Sequence, residues 1–171
     1  MTDVPRLETE RLVLRGHRFS DFEPMAQHWE SPRTRHIGGP LDRREAWRDF
    51  STDCAQWTLR GFGMWILEET SSGETAGWVG FFYPDHYKEP ELGWILFEAF
   101  EGRGLAYEAA LAAREYGSAQ WDIKQPPSFI DIDNHRSVAL AKRLGATLES
   151  TQEKDRGSYF VYRHPAPGGR P

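Results

Sequence analysis

The chain has 171 residues, 39% hydrophobic and 27% charged, with a formal net charge of -5 and a pI near 5.7. That is enough for one domain with a substantial core, and it is the wrong sign for a nucleic-acid binder, which carries a basic stripe. A lone cysteine, Cys54, excludes a disulfide framework and a cysteine metal cluster.

The opening MTDVPRLETERLVL lacks the apolar core of a secretory signal, and no segment approaches the ~18 apolar residues that cross a bilayer. The expectation is a cytoplasmic protein with no membrane partner. Residues 7–15 alternate Leu12 and Leu14 against Arg11, Val13 and Arg15, which predicts a first strand with at least one solvated side. Ser20-Asp21 offers a helix cap, and Phe22, Met25, Ala26 and Trp29 follow at helical spacing until Pro32. Residues 33–41 form a loop punctuated by glycine and proline. Residues 42–59 predict a second helix, with Ala46, Phe50, Trp57 and either Cys54 or Asp53 on one stripe and Trp47 beside it. Residues 61–67 and 76–83 read as two strands of a meander joined by the polar turn EETSSGE, and residues 84–90 lead into the next strand.

Residues 91–97, ELGWILF, are largely apolar on both alternating faces, which predicts a strand buried on both sides, deep in a sheet. EGRGLA follows at residues 101–106, and its two glycines let successive N–H groups converge at a helix start, a geometry that binds phosphate. A glycine turn joining strand to helix has the same composition without any ligand. The dinucleotide fingerprint fails because Tyr107 stands at the third glycine, and the Walker pattern fails for want of Gly-Lys-Ser/Thr. Leu105, Ala109, Ala112, Ala113 and Tyr116 then recur at helical spacing, the alanines allowing close packing on a sheet.

After Pro126-Pro127, residues 128–133 predict another strand, and Asn134-His135-Arg136-Ser137 caps a helix carrying Val138, Leu140, Ala141 and Leu144 and closed by Gly145. Residues 147–154 and 158–163 form a final hairpin turning at residues 155–157; residues 165–171 read as a disordered tail beyond a single domain, 1–164. The six histidines lack paired ligand spacing, so no catalytic metal is expected, and no G-x-S-x-G elbow supports a serine hydrolase.

EGRGLA resembles the Q/R-x-x-G-x-G/A pyrophosphate loop of the GNAT superfamily of acyl-CoA N-acyltransferases, and ELGWIL resembles the strand that carries it. Residues 134–145 resemble the second motif, N-x-x-S-x-x-x-A-x-x-L-G, and TERLVLR resembles the opening of the Rim-type, ribosomal-protein alanine N-acetyltransferase-like branch. Glu101 departs from the pattern, where Gln or Arg is usual. The resemblance implies an α+β (mixed α/β) GNAT fold, a mostly antiparallel twisted sheet flanked by helices and splayed between residues 91–97 and 128–133. It implies acetyl-CoA as cosubstrate, without a metal, and direct acetyl transfer to a primary amine of a peptide N-terminus or small molecule.

The resemblance also implies site residues. Ile95, Leu96 and Phe97 would hold the pantetheine through their backbone, and Gly102, Arg103, Gly104, Leu105 and Ala106 the pyrophosphate, with Arg136 and Lys142 balancing its charge. Glu91 is the candidate base, acting through water; Ser137 is the candidate proton donor to the departing thiolate; Asn134 fixes the cofactor or a bridging water. The tyrosine acid of many members has no match at Ala141. His36, Trp47, His86 and Tyr87 are the candidates for acceptor binding. Each has a plain alternative: a strand-end ion pair for Glu91, a first-turn hydroxyl for Ser137, an N-cap for Asn134, packing for His36 and Trp47, and an exposed loop for His86 and Tyr87. A CoA-binding module without catalysis and a tryptophan-rich interaction protein remain the alternatives for the whole chain, which is expected to be a monomer or homodimer.

Overall fold

The computed structural model describes residues 3–154, 157–166 and 168. Five strands form an antiparallel sheet in chain order: β1 (Leu7–Glu8), β2 (Leu12–Arg15), β3 (Met64–Glu69), β4 (Thr75–Phe82) and β5 (Glu91–Leu96). Three more form a second antiparallel sheet in the order β6 (Pro127–Asp131), β8 (Gly157–Arg163), β7 (Thr147–Lys154). The helices are α1 (Phe22–Glu30), α2 (Arg43–Arg60), α3 (Leu105–Trp121) and α4 (His135–Arg143), and none is long and apolar enough to cross a membrane.

The first sheet is covered on both faces, and the period-two alternation of its strands decides which side chain goes where. Trp65, Leu67, Phe81 and Leu92 join α3 in one core. Met64, Ile66 and Trp78 join α1 and α2 in another. The small face of α3 sets its distance from the sheet: Ala109, Ala110 and Ala113 are fully buried, and a Cβ at Gly117 would overlap the Phe81 ring. α2 is started by a reciprocal Asp42–Glu45 cap and stopped by Gly61 at φ 78°. Its buried stripe runs through Ala46, Phe50, Asp53 and Trp57, so Asp53 rather than Cys54 takes the ambiguous position.

Several expectations are corrected. The first strand is broken at residues 9–11, and β2 has no solvated side: Val13 and Arg15 are each 7% exposed. Arg15 is tolerated inside because Asp21 takes two of its N–H groups, each at 2.8 Å, and Glu68 a third at 2.6 Å. The loop after α1 contains a 3-10 helix, Pro32–Ile37. β5 is not deep in a sheet but is the last strand of its own, with only Leu92 fully buried. Its two faces are apolar because both are covered by helices, Leu92, Trp94 and Leu96 lying on the α3 core and Ile95 on the α1–α2 core, and the open cleft lies along its free edge. β6 begins at Pro127 and ends at Asp131, two residues short of expectation. In the last hairpin, Asp155 and Arg156 lie outside the described residues, as do Pro167, Gly169, Arg170 and Pro171 of the expected tail.

Candidate active site

β5 and β6 lie side by side without a ladder between them, and two side-chain bonds hold them together at one end. The Ser128 hydroxyl donates to the Leu92 carbonyl at 2.6 Å, and the Phe129 amide donates to Glu91 Oε1 at 2.9 Å. Ser128 is itself oriented by His164, which is fully buried. Because the Ser128 proton is committed to Leu92, His164 Nε2 must donate to Ser128 Oγ, at 2.9 Å, leaving Nδ1 to face Arg114 at 3.4 Å. The imidazole is therefore neutral. Burial first, then the Arg114 and Arg163 charges, pull its pKa down to about 3.

Beyond Leu92 the strands diverge. Phe97 N–H donates to Ala76 in the β4 ladder, so alternation turns the ladder groups of Ile95 and Phe97 toward β4 and those of Trp94 and Leu96 toward the open edge. Of the three residues expected to offer backbone to a ligand there, only Leu96 has its groups on that edge; Trp94 is the partner missed from sequence.

At the far end of β5 the chain enters the glycine loop. Gly102 and Gly104 have φ of 72° and 80°, and no protein acceptor among the described residues takes up the amides of Gly102, Arg103 or Gly104. The first-turn amides of Leu105 and Ala106 follow at the start of α3. The loop is held from behind by the chain's own opening motif. Arg11 Nη1 donates to the Arg103 carbonyl at 2.7 Å, and Glu108 on α3 accepts from Thr9 Oγ1 at 2.6 Å and from Arg11 N at 2.8 Å. The Arg103 side chain turns away onto Glu69. Glu101 points to cations: Arg33 reaches it at 2.5 Å, and Arg136 pairs with it as well.

At the other end of β5 opens a cavity of about 620 Å³, lined from β5 by residues 91–95, from the start of α4 by its N-cap Asn134 and by Ser137, from the 3-10 helix by His36, and from α2 by Asp49 and Asp53. The pieces are local in origin. Asn134 Oδ1 caps α4 by accepting from Ser137 N at 3.2 Å, and Ser137 Oγ lies 3.3 Å from the Trp94 indole N–H, which donates to it. The Ser137 hydroxyl proton is thus left to donate elsewhere. Glu91 also bonds with the Tyr87 hydroxyl, whose pKa is raised by burial and then by the Glu91 charge.

Residues 11–147 match the family model described as an acetyltransferase (GNAT) domain. The chain belongs to the GNAT acetyltransferase family. An acetyltransferase from Agrobacterium tumefaciens str. C58 is 35% identical to it, with a TM-score of 0.88 over 95% of each chain. YkkB of Bacillus subtilis (strain 168), an uncharacterized protein, is 29% identical over 174 residues, covering 95% of this chain and 92% of its own. RimL, the ribosomal L7/L12 alpha-N-protein acetyltransferase, solved in complex with coenzyme A, has a TM-score of 0.79 over 96% of this chain and 100% of its own; at 19% identity the likeness is one of fold.

The acetyltransferase brings some predicted residues together and scatters others. Glu91, Asn134, Ser137 and His36 share the cavity, His36 with Nδ1 3.3 Å from Asp131. Trp47 does not line it: the ring is 44% exposed and packs on Phe19, Phe22 and Phe50. His86 is exposed beside Tyr87, and it is Tyr87 that faces the cavity. Asp49, Asp53 and Arg33 were not singled out as site residues. A carboxylate on the apolar stripe of α2 is a signal readable in the sequence; nothing local marks Arg33, whose partner Glu101 lies 68 residues away.

Proposed function

We propose that this acetyltransferase moves the acetyl group of acetyl-CoA directly to a primary amine, with the cosubstrate lying in the cleft between β5 and β6. The observation that carries the reading is one continuous line along β5. Unclaimed amides of the glycine loop stand at one end, the open edge of Trp94 and Leu96 follows, and the cavity with Glu91, Asn134 and Ser137 closes the other. The pyrophosphate fits the loop, where convergent amides and the α3 dipole favour an anion. The pantetheine amides pair with Trp94 and Leu96 as an added strand would, which fixes the thioester at the cavity.

Transfer then needs a neutral amine, a polarised carbonyl and a proton for the thiolate. The amine nitrogen bonds to the acetyl carbon, the carbon–sulfur bond breaks, and the nitrogen's proton leaves toward Glu91 through water. Phe129 N–H and Tyr87 hold that carboxylate in place. Ser137, with its oxygen engaged by Trp94, has its proton directed to the sulfur and regains one from water. Asn134, whose oxygen is spent on the α4 cap, has its NH₂ group for the cofactor or a water. Arg33 and Arg136 surround Glu101 and keep the charge near the loop from repelling phosphate. The enzyme works in the cytoplasm, where acetyl-CoA is supplied.

The pH dependence of kcat/KM tests the roles. Glu91→Gln lowers the rate most at low pH and recovers as the acceptor amine loses its proton unaided. Ser137→Ala lowers kcat about equally across pH, by ~10–1000-fold, with cofactor affinity little changed. Full activity of Glu91→Gln at every pH removes Glu91 as the base. An effect of Ser137→Ala on cofactor binding alone reduces Ser137 to a positioning residue.

A further inference from the structure

Asp53 is only 4% exposed, and no hydrogen bond or ion pair reaches its carboxylate from any described residue. The charge that acts on it is another carboxylate, Asp49, one helical turn earlier on α2. Burial, and then Asp49, hold Asp53 well above the usual carboxylate range; burial raises Asp49 to about 6, with the neighbouring Trp29 indole pulling the other way. A buried carboxyl without a partner destabilises a fold, and it can ionise there only when a cation meets it. α2 could have filled this position with an apolar residue, as it does at Ala46 and Phe50.

Both carboxylates line the cavity, and so do Trp29 and Trp78, whose ring centroids lie 6.1 Å apart at 51°. Trp29 is 5% exposed, and its buried indole N–H faces Asp49, close enough to pull that carboxyl's pKa down but outside hydrogen-bond geometry. The other acidic residues of the lining are engaged: Glu91 by Phe129 N–H, and Asp131 by His36. The one guanidinium in the lining, on Arg35, is exposed and bonded to His36. What remains is Asp53 without a partner and Asp49 with only the Trp29 indole beside it, on a wall that the indoles of Trp29 and Trp78 also line, the combination that recognises an organic ammonium by charge and by cation–π attraction.

We propose that this wall is an organic-cation subsite, in which Asp53 and Asp49, with the rings of Trp29 and Trp78, hold an ammonium of the acceptor remote from the nitrogen that is acetylated. The acceptor is then a small diamine or polyamine rather than a monoamine, an assignment that rests on the acetyl-transfer reading above and narrows its substrate.

Calorimetric titration of the CoA-loaded protein with α,ω-diaminoalkanes and with n-alkylamines of matched length, alongside acetyl transfer to the same compounds, separates the two readings. A diamine should bind, and its kcat/KM should exceed that of the matched monoamine by about tenfold or more. Asp53→Asn should bring that ratio to within about threefold, and Asp49→Asn should lower it as well. Without amine, Asp53→Asn should melt at or above the wild-type temperature, because it removes a buried carboxyl that has no partner and whose ionisation Asp49 opposes, so a lost preference is not unfolding. Should Asp53→Asn not fold, Asp49→Asn decides. Failure of any diamine to bind, equal use of diamine and monoamine, or a preference that survives both variants overturns the subsite and leaves acetyl transfer standing. Diamine binding that depends on Asp53 with no acetylated product overturns acetyl transfer and leaves the subsite standing.

Discussion

Gly104→Val separates the two things the glycine loop does. In the free protein a Cβ at Gly104 meets nothing nearer than Arg11 Nη2 at 3.5 Å, an ordinary van der Waals contact, so a side chain can begin there without a clash. Its cost is conformational. At φ 80° a side chain is in the left-handed region, worth about 1–2 kcal/mol, and valine's branching puts it at the upper end. For a chain of this size that lowers Tm by about 2–8 °C. The effect on coenzyme A should be larger, because valine drives this position out of the left-handed conformation that lets the loop amides converge. Loss of two charge-assisted hydrogen bonds to phosphate, at ~1.5–3 kcal/mol each, weakens binding by ~10²–10⁴-fold. Calorimetry with coenzyme A and with pantetheine, which lacks the pyrophosphate, reads this directly: Gly104→Val should bind pantetheine nearly as the wild type does and lose most of the preference for coenzyme A. Coenzyme A affinity within about threefold of wild type would move the phosphate site elsewhere and refute the reasoning.

The buried histidine predicts an acid limb of stability. His164 has a folded pKa of about 3, below its unfolded value near 6.5, so the unfolded chain binds the extra proton; its contribution is complete above about pH 6.5 and is lost as pH falls toward 3. His164→Gln, which keeps a donor near Ser128, should flatten that limb by up to ~1.4 kcal/mol per pH unit in urea titrations, while His17, held at about 4 by burial, retains its own share. An unchanged slope would mean that His164 is not buried as a neutral ring. Gly117→Val should destabilise by ~1–3 kcal/mol through overlap with the Phe81 ring, with coenzyme A affinity unchanged after allowance for unfolding. A neutral effect on Tm would show that α3 stands farther from β4 than described.

What could be read in the chain was what is local. The helical stripe of α2, the cap at Asn134 and the glycine turn at Gly102 and Gly104 depend on residues within a few positions of each other and are found where the pattern puts them, while on α3 the buried face includes Ala110 and Gly117 and leaves Ala112 and Tyr116 half-buried. The place of β5 was not legible, because apolar residues on both faces look alike whether a neighbouring sheet or a cleft lies beside the strand. Nor was the burial of Arg15, which depends on Asp21 nearby but also on Glu68, 53 residues away. The cavity draws Tyr87, Glu91, Ser137 and the α2 carboxylates from separate elements. Of these, Glu91, Ser137 and Tyr87 are candidates in the sequence itself, whereas the α2 carboxylates are marked only by Asp53, a charge on an apolar stripe that Cys54 could equally have continued.

The central claim is that acetyl-CoA in the β5–β6 cleft gives its acetyl group to an amine. It is tested most directly by following free thiol release from acetyl-CoA while the amine product is weighed by mass spectrometry. Thiol release should depend on added amine and match acetylated amine mole for mole, with no acetyl group left on the protein. Acetyl-CoA that binds but releases no thiol with any amine, or releases it equally without one, would contradict the account.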